Sequence, residues 1–339
     1  MRRACAQRGL RVTGEDLGQH GTVGVGDQDG DKGHGQERAP LIENAILLAG
    51  PTASGKSALA LELAERLDGL IVNADSMQVY DGLRILSARP SLKATERVPH
   101  LLYGHVPPQR SYSVGAWLDD VVRLVEEGAL RRRAIFVGGT GLYFKALTEG
   151  LAVLPDIPAD VRAFWRDRLV EHGAVALHAE LADRDPSGAA ILAPTDGQRL
   201  VRALEVWDAT GRPLREWQSA PATPLVSGAI RVVLEPPRPL LRERIDRRFD
   251  AMMAEGALDE AVRVASLVPD PAAPSLKAIG LRQLLDHAAG KLSLEAAIAQ
   301  SKVATHQYAK RQSTWFRNQF GGEWQHFAGP GEAFGKISA

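Results

Sequence analysis

The chain has 339 residues, 45% of them apolar, and its 41 basic residues balance 41 acidic ones. A chain of this length buries a large core and, at ~150 residues per domain, predicts about two domains. Neutrality excludes a histone-like polycation but not a local basic stripe, the single Cys5 excludes an internal disulfide or a cysteine-built zinc site, and no apolar run reaches the ~18 residues of a membrane span.

Arg2 and Arg3 are not followed by the apolar stretch of a signal peptide, so the expectation is a cytoplasmic protein with no membrane partner. Residues 1–40 are rich in Gly, Asp, Gln and His and poor in large apolar side chains. Such a segment cannot offset the entropy of ordering and is predicted to be a disordered tail, with the fold starting near Ile42. Ala45–Ala49 is a short apolar run that suits a strand buried on both faces. Helical spacing of Leu59, Leu63 and Leu67 follows, and then a second strand at Leu70–Val72 that stops at Asn73-Ala74-Asp75. Ser113 reads as the N-cap of a helix running to about Leu130. Ala134–Val137 is another strand, and a helix begins near Leu142. Alternating strands and helices predict a parallel sheet with helices on both faces.

After Leu154-Pro155-Asp156-Ile157-Pro158 the pattern is helical to about Trp217, with Thr195 or Asp196 capping a helix that Gly211-Arg212-Pro213 ends. Ala229–Leu234 reads as a strand returning to the sheet. Pro239 to about Leu267 is predicted helical, as is most of Ala278–Phe320, while residues 325–339 carry no readable pattern. The expected organisation is an α/β core over 41–155 and 229–325 with C-terminal helices, interrupted by a helical insertion over 156–228.

Gly50, Pro51, Thr52, Ala53, Ser54, Gly55, Lys56 and Ser57 match G-x-x-x-x-G-K-[ST] between a predicted strand and a predicted helix. The glycines let the backbone bend so that N–H groups converge on phosphate oxygens, and the next helix adds its positive end. Lys56 supplies a cation and the Ser57 hydroxyl can ligate Mg²⁺. This loop fixes phosphate binding, not the reaction; a nucleotide hydrolase or a small-molecule kinase would use the same device.

In open α/β sheets ligands bind beyond the carboxyl ends of strands, where Asp75 and Thr140 fall. Asp75 is read as a Mg²⁺ ligand, a general base or a helix N-cap. Thr140 is read as a donor to a phosphate or bridging oxygen, or as a cap. Between Lys277 and Arg317 there are seven basic residues and two acidic ones, a local charge of +5 in a neutral chain. Its cations and aromatics suit phosphates and unpaired bases, or alternatively an amphipathic helix with a solvated basic face.

These segments together resemble one family, the tRNA dimethylallyltransferases (tRNA isopentenyltransferases) of bacterial type. The resemblance rests on residues 50–57 (GPTASGKS), 73–80 (NADSMQVY), 98–105 (VPHLLYGH), 137–147 (VGGTGLYFKAL), 196–207 (DGQRLVRALEVW), 242–249 (RERIDRRF), 277–283 (KAIGLRQ) and 309–317 (AKRQSTWFR). It implies a P-loop NTPase-like parallel sheet with a helical insertion domain. It implies transfer of a dimethylallyl group from dimethylallyl diphosphate to the N6 amine of the adenosine 3′ of the anticodon, with Mg²⁺, and the tRNA anticodon stem-loop as partner.

By that resemblance Asp75 is the general base and Thr140 a second catalytic residue. Gly50 to Ser57 hold the diphosphate, and Arg248 is matched to a diphosphate-binding arginine. The tRNA-contact segments map onto Asp75, Ser76, Met77 and Gln78; Thr140; Arg162; Gln198, Arg199, Leu200, Val201 and Arg202; Lys277, Ala278, Ile279, Gly280, Leu281 and Arg282; and Lys310, Arg311, Gln312, Ser313, Thr314, Trp315, Phe316 and Arg317. Ser87-Ala88-Arg89 departs from the Thr-Ala-Lys of some members. A monomer is expected. The alternatives are an adenylate isopentenyltransferase acting on free AMP, a P-loop kinase, and a non-catalytic RNA-binding protein.

Overall fold

Short, wholly apolar runs become strands buried on both faces, and amphipathic runs become the helices that cover them. The computed structural model describes residues 41–337; the tail expected at 1–40 lies outside the described residues. In chain order, β1 (Ile42–Glu43) and β2 (Ile46–Ala49) lead into the glycine loop and α1 (Lys56–Arg66). Then come β3 (Leu70–Asn73), α2 (Leu92–Arg97), β4 (His100–Leu101), α3 (Val114–Glu126), β5 (Ala134–Gly138) and α4 (Gly141–Glu149). The insertion follows as α5 (Ala159–Arg184), α6 (Pro186–Ala189), α7 (Gly197–Thr210) and α8 (Leu214–Gln218). The chain returns through β6 (Val226–Ser227) and β7 (Ile230–Leu234) to α9 (Arg238–Ala254), α10 (Ala257–Leu267), α11 (Leu281–Ala288) and α12 (Leu294–Gln319). Last are β8 (Gln325–Phe327) and α13 (Pro330–Ile337).

The main sheet is six-stranded and parallel, in the order β4-β3-β5-β2-β7-β8. Ile46 pairs with Ile135 on one side and Ile230 on the other, which puts β2 and its glycine loop in the middle. Side chains alternate between the two faces. Leu47, Val72, Phe136 and Val233 pack with Trp117 of α3 and Phe144 of α4. Ile46, Leu48, Ile71 and Ile135 pack with Leu59 and Leu63 of α1. A separate small sheet pairs β1 with β6. Among the described residues no helix is long and apolar enough to cross a membrane.

Capping residues behave as their chemistry dictates. Ser113 accepts from the Ala116 N–H, and Asp196, not Thr195, caps α7 by accepting from the Arg199 N–H. Three expected helices are cut short or divided. The helix from Ser113 stops at Glu126 because Gly128 turns at φ 69°. The run from Pro239 divides into α9 and α10 at Gly256, φ 98°, and the run from Ala278 divides into α11 and α12 at Gly290 and the Ser293 cap.

The residues beyond 325 are the main correction. Gln325, His326 and Phe327 pair with Val232, Val233 and Leu234 to form the sheet edge. Ala333 and Ile337 of α13 are buried against the α1 side of the sheet. The α/β core therefore runs past residue 325.

The insertion carries its own core of Trp165, Leu177, Leu181, Leu200 and Leu204. Trp165 is fully buried and donates its indole N–H to Asp208 at 2.8 Å. The layer of α9 to α12 closes over a further core that includes Val79, Leu83, Phe249 and Leu281. Lys302–Asp250 at 2.6 Å and His306–Asp246 at 2.9 Å join α12 to α9.

Candidate active site

At the end of β2 the chain turns through Ala53 at φ 65° and Gly55 at φ 96°, and α1 starts at Lys56. The Ser54 N–H donates to the Pro51 carbonyl at 3.2 Å, as does the Lys56 ammonium, also at 3.2 Å. The Ser54 hydroxyl is buried with no hydrogen-bond partner among the described residues. Burial pulls the Lys56 ammonium down to about 8; Asp75 opposes this and Arg248 adds to it. A loop that desolvates its own cation in this way favours an incoming anion.

Asp75 follows β3 and is held by hydrogen bonds to the buried Asn73. Asn73 accepts from the Asp75 N–H at 2.9 Å and donates its amide to the carbonyls of Asp75 and Leu102, each at 3.0 Å. Trp117 donates to the Asn73 carbonyl at 2.9 Å, which fixes the strand end from the other side. Asp75 Oδ1 accepts from the Met77 N–H at 3.0 Å. No helix starts here, so the N-cap alternative is not realised. Gly138 lets the ends of β3 and β5 touch, since a Cβ there would sit 1.9 Å from the Ala74 carbonyl oxygen.

Thr140 is engaged elsewhere than expected. Its hydroxyl accepts from the Ser76 N–H at 2.9 Å and donates to the Ser76 hydroxyl at 3.2 Å. It precedes α4 but makes no side-chain cap. The Thr140 hydroxyl therefore ties the loops after β3 and β5 together.

A cavity of about 960 Å³ opens between these loops and the α9–α12 layer. Thr52 to Ser57 line one end and Asp75 to Gln78 another, with apolar walls from Leu86, Ile245, Phe249, Met252 and Ala278. Arg248 reaches in from α9 and donates to the Thr52 hydroxyl. Burial lowers its guanidinium from the ordinary value, opposed by Asp75. Several lining residues lie outside the site predicted from sequence, Arg244 and Tyr308 among them. Arg244 donates to the Ser54 carbonyl at 3.3 Å; its i,i+4 spacing from Arg248 was the available signal. Tyr308 of α12 also lines the cavity, and burial, with Asp75 second, raises its hydroxyl above the ordinary range.

The residues matched to RNA contacts divide by exposure. Gln198, Arg199, Lys277, Arg282, Lys310, Arg311, Thr314 and Arg317 are exposed, and Gln198, Lys277, Ile279 and Arg311 also line the cavity. Lys310 and Arg311 have no carboxylate partner among the described residues; Arg311 lies over the Tyr308 ring at 5.8 Å. Arg202, Arg162 and Arg317 are paired, with Glu205, Asp156 and Glu235, each at 3.3 Å. Leu200, Val201, Leu281, Ser313 and Phe316 are buried, so their side chains pack in the interior, unlike the exposed contacts expected of them; Gly280 is buried as well, and Ala278 is buried but forms part of the cavity wall. Gln312 is buried too, with both ends of its amide on backbone groups, at 2.9 Å from the Thr52 N–H and 2.9 Å from the Gly139 carbonyl. Gln78 spends its amide N–H groups on the Ser87 and Ala88 carbonyls at 2.9 and 3.0 Å. Trp315 lies on Gly141, where a Cβ would meet its ring at 2.0 Å.

Fold and site together define a P-loop α/β protein in which an anion cradle and a carboxylate share one cavity beside a cationic helix. Residues 78–319 match the family described as IPP transferase, and residues 43–103 match one described as Isopentenyl transferase. The tRNA dimethylallyltransferase of Mesorhizobium japonicum is 54% identical over 311 residues, covering 91% of this chain and 95% of that protein. That of Agrobacterium fabrum is 53% identical, covering 83% and 95%. Among solved structures, a full-length tRNA isopentenylpyrophosphate transferase from Bacillus halodurans aligns with a TM-score of 0.61 at 32% identity, over 87% of this chain and 95% of that one. A eukaryotic dimethylallyltransferase acting on tRNA aligns with a TM-score of 0.67 at 27% identity, over 81% and 70%. The chain belongs to the IPP transferase family.

Proposed function

We propose that the protein is a tRNA dimethylallyltransferase. It transfers a dimethylallyl group from dimethylallyl diphosphate to the N6 amine of the adenosine 3′-adjacent to the anticodon and releases diphosphate. One observation carries the reading: the phosphate loop and Asp75 face the same cavity, which also has apolar walls, and that cavity opens beside Lys310 and Arg311 of α12, which have no carboxylate partner among the described residues.

The exocyclic amine of adenine is a weak nucleophile because its lone pair is delocalised into the ring. As nitrogen bonds to the allylic carbon it becomes acidic, and Asp75 Oδ2 takes the proton. The carbon–oxygen bond breaks and its electron pair leaves on the diphosphate. Backbone N–H groups of Ala53, Gly55, Lys56 and Ser57, the Lys56 ammonium and Arg248 stabilise that charge. Thr140 acts by holding Ser76 beside Asp75. The adenosine must leave its stack to enter the cavity, which costs a few kcal/mol and least in a single-stranded loop.

The donor set fits Mg²⁺. No cluster of three His, Cys, Asp or Glu among the described residues would hold an ion alone, while Ser57 lines the cavity. Mg²⁺ suits one protein oxygen completed by phosphate oxygens and water. Bound there, it would neutralise leaving-group charge. We take the enzyme to work as a monomer in the cytoplasm.

The test is transfer of a radiolabelled dimethylallyl group to an unmodified anticodon stem-loop, with AMP in parallel. Label on the stem-loop supports the reading. Label on AMP alone makes the protein an adenylate isopentenyltransferase, and ATP turnover without prenyl transfer makes it a kinase or hydrolase.

A further inference from the structure

The side chain of Gln312 sits in the middle of a cationic, aromatic run, yet it faces inward. Its Oε1 accepts from the Thr52 N–H and its Nε2 donates to the Gly139 carbonyl, both at 2.9 Å, in a buried position. Each partner belongs to a different half of the site. Thr52 is in the phosphate loop and its hydroxyl receives the Arg248 guanidinium. Gly139 lies beside the carboxylate: a Cβ on it would stand 3.3 Å from Asp75 Oδ2, and 2.1 Å from Gln312 Nε2. A Cβ at residue 139 would therefore push the amide out of its place between the two loops. Among the described residues Gln312 alone bridges the Thr52 and Gly139 backbones.

We propose that Gln312 is a positioning residue for prenyl transfer, setting the distance between the diphosphate cradle and the general base, and that it makes no contact with RNA. This rests on the transferase reading above. A carboxamide is the group the geometry demands, since it must accept at one end and donate at the other. Glutamate keeps the acceptor for Thr52 but cannot donate to Gly139 when ionised. Methionine keeps the length and loses both bonds. Either change leaves a buried backbone group unpaired, so the two loops must move apart to hydrate it.

The experiment compares wild type, Gln312→Met, Gln312→Glu and Gly139→Ala. The last keeps the amide but displaces it. Three quantities are read: steady-state kcat and KM for dimethylallyl diphosphate, the Kd of an anticodon stem-loop, and the rise in melting temperature produced by inorganic diphosphate. The expected result is a kcat at least tenfold lower, a raised donor KM and a smaller diphosphate-induced rise in all three variants, with RNA Kd within about twofold of wild type. A stem-loop Kd weakened tenfold with donor KM unchanged would overturn the proposal and return Gln312 to the RNA surface. Unchanged kcat and KM in folded Gln312→Met would overturn it equally. Absence of prenyl transfer by the wild type, or of any diphosphate-induced rise, would instead remove the transferase reading itself.

Discussion

The strand-end site and the helical insertion are built on opposite terms. Around Asp75 nearly every polar group that sets geometry is pinned by a buried or half-buried partner: Asn73 on the Asp75 backbone, Trp117 on Asn73, Thr140 on Ser76, Gln312 across two loops. In the insertion most of the buried side chains form an apolar core around Trp165, and its cavity-facing Gln198 and neighbouring Arg199 are exposed. Chemistry needs atoms fixed to within a fraction of an ångström. A phosphate contact needs only a cation within reach of a flexible strand. The difference predicts that substitutions near β3 and β5 damage turnover while those on the insertion and α12 damage RNA affinity.

The sharpest way to break this contrast is Asp75→Ala. Transfer should fall ~10²–10⁴-fold, the range for a lost general base, with stem-loop Kd within about twofold. Single-turnover transfer and fluorescence anisotropy measure the two; a comparable loss in both would erase the division. Next, Trp165→Ala should cost the insertion about 3–5 kcal/mol, as removal of a large buried aromatic does. Denaturant unfolding should then show the insertion melting first, while binding of a non-reactive dimethylallyl diphosphate analogue persists.

A pH series sharpens the cradle half. The free-enzyme Lys56 is held at about 8, and only its charged form attracts diphosphate. Affinity for the same analogue should be level below pH 8 and fall above it, by up to about tenfold per pH unit. Lys56→Arg keeps the charge and should abolish that fall. The smallest effect is expected from Arg311→Ala: RNA affinity should drop a few-fold and the slope of log K against log salt should shrink by about one. An unchanged slope in a titration series would take Arg311 off the RNA.

How much of this was legible in the sequence follows from the range of the forces involved. Local chemistry was readable: apolar runs for β2, β3 and β5, the Ser113 cap, a cap at Thr195 or Asp196, and the glycine loop all obey rules that act within a few residues. Pairings over long separations were not. Gln312 lies 260 residues from Thr52, and an amide among cations reads naturally as an RNA contact. Strand β8, Gln325-His326-Phe327, is too short and polar to alternate, and α13 contains Gly331 and Gly335. Both form because an open sheet edge at β7 and an apolar patch on α1 await them. Arg244 was passed over because a charged helix face looks solvated until its neighbour is known.

The edge strand and final helix also bear on the donor end of the cavity. Pro330 lines the cavity and stands next to the Gly55 turn, and β8 pairs with β7 at the rim of the sheet. Trimming residues 325–337 would therefore strip one wall from the cradle while leaving Asp75 and the RNA-facing cations in place, so that donor capture would loosen on its own.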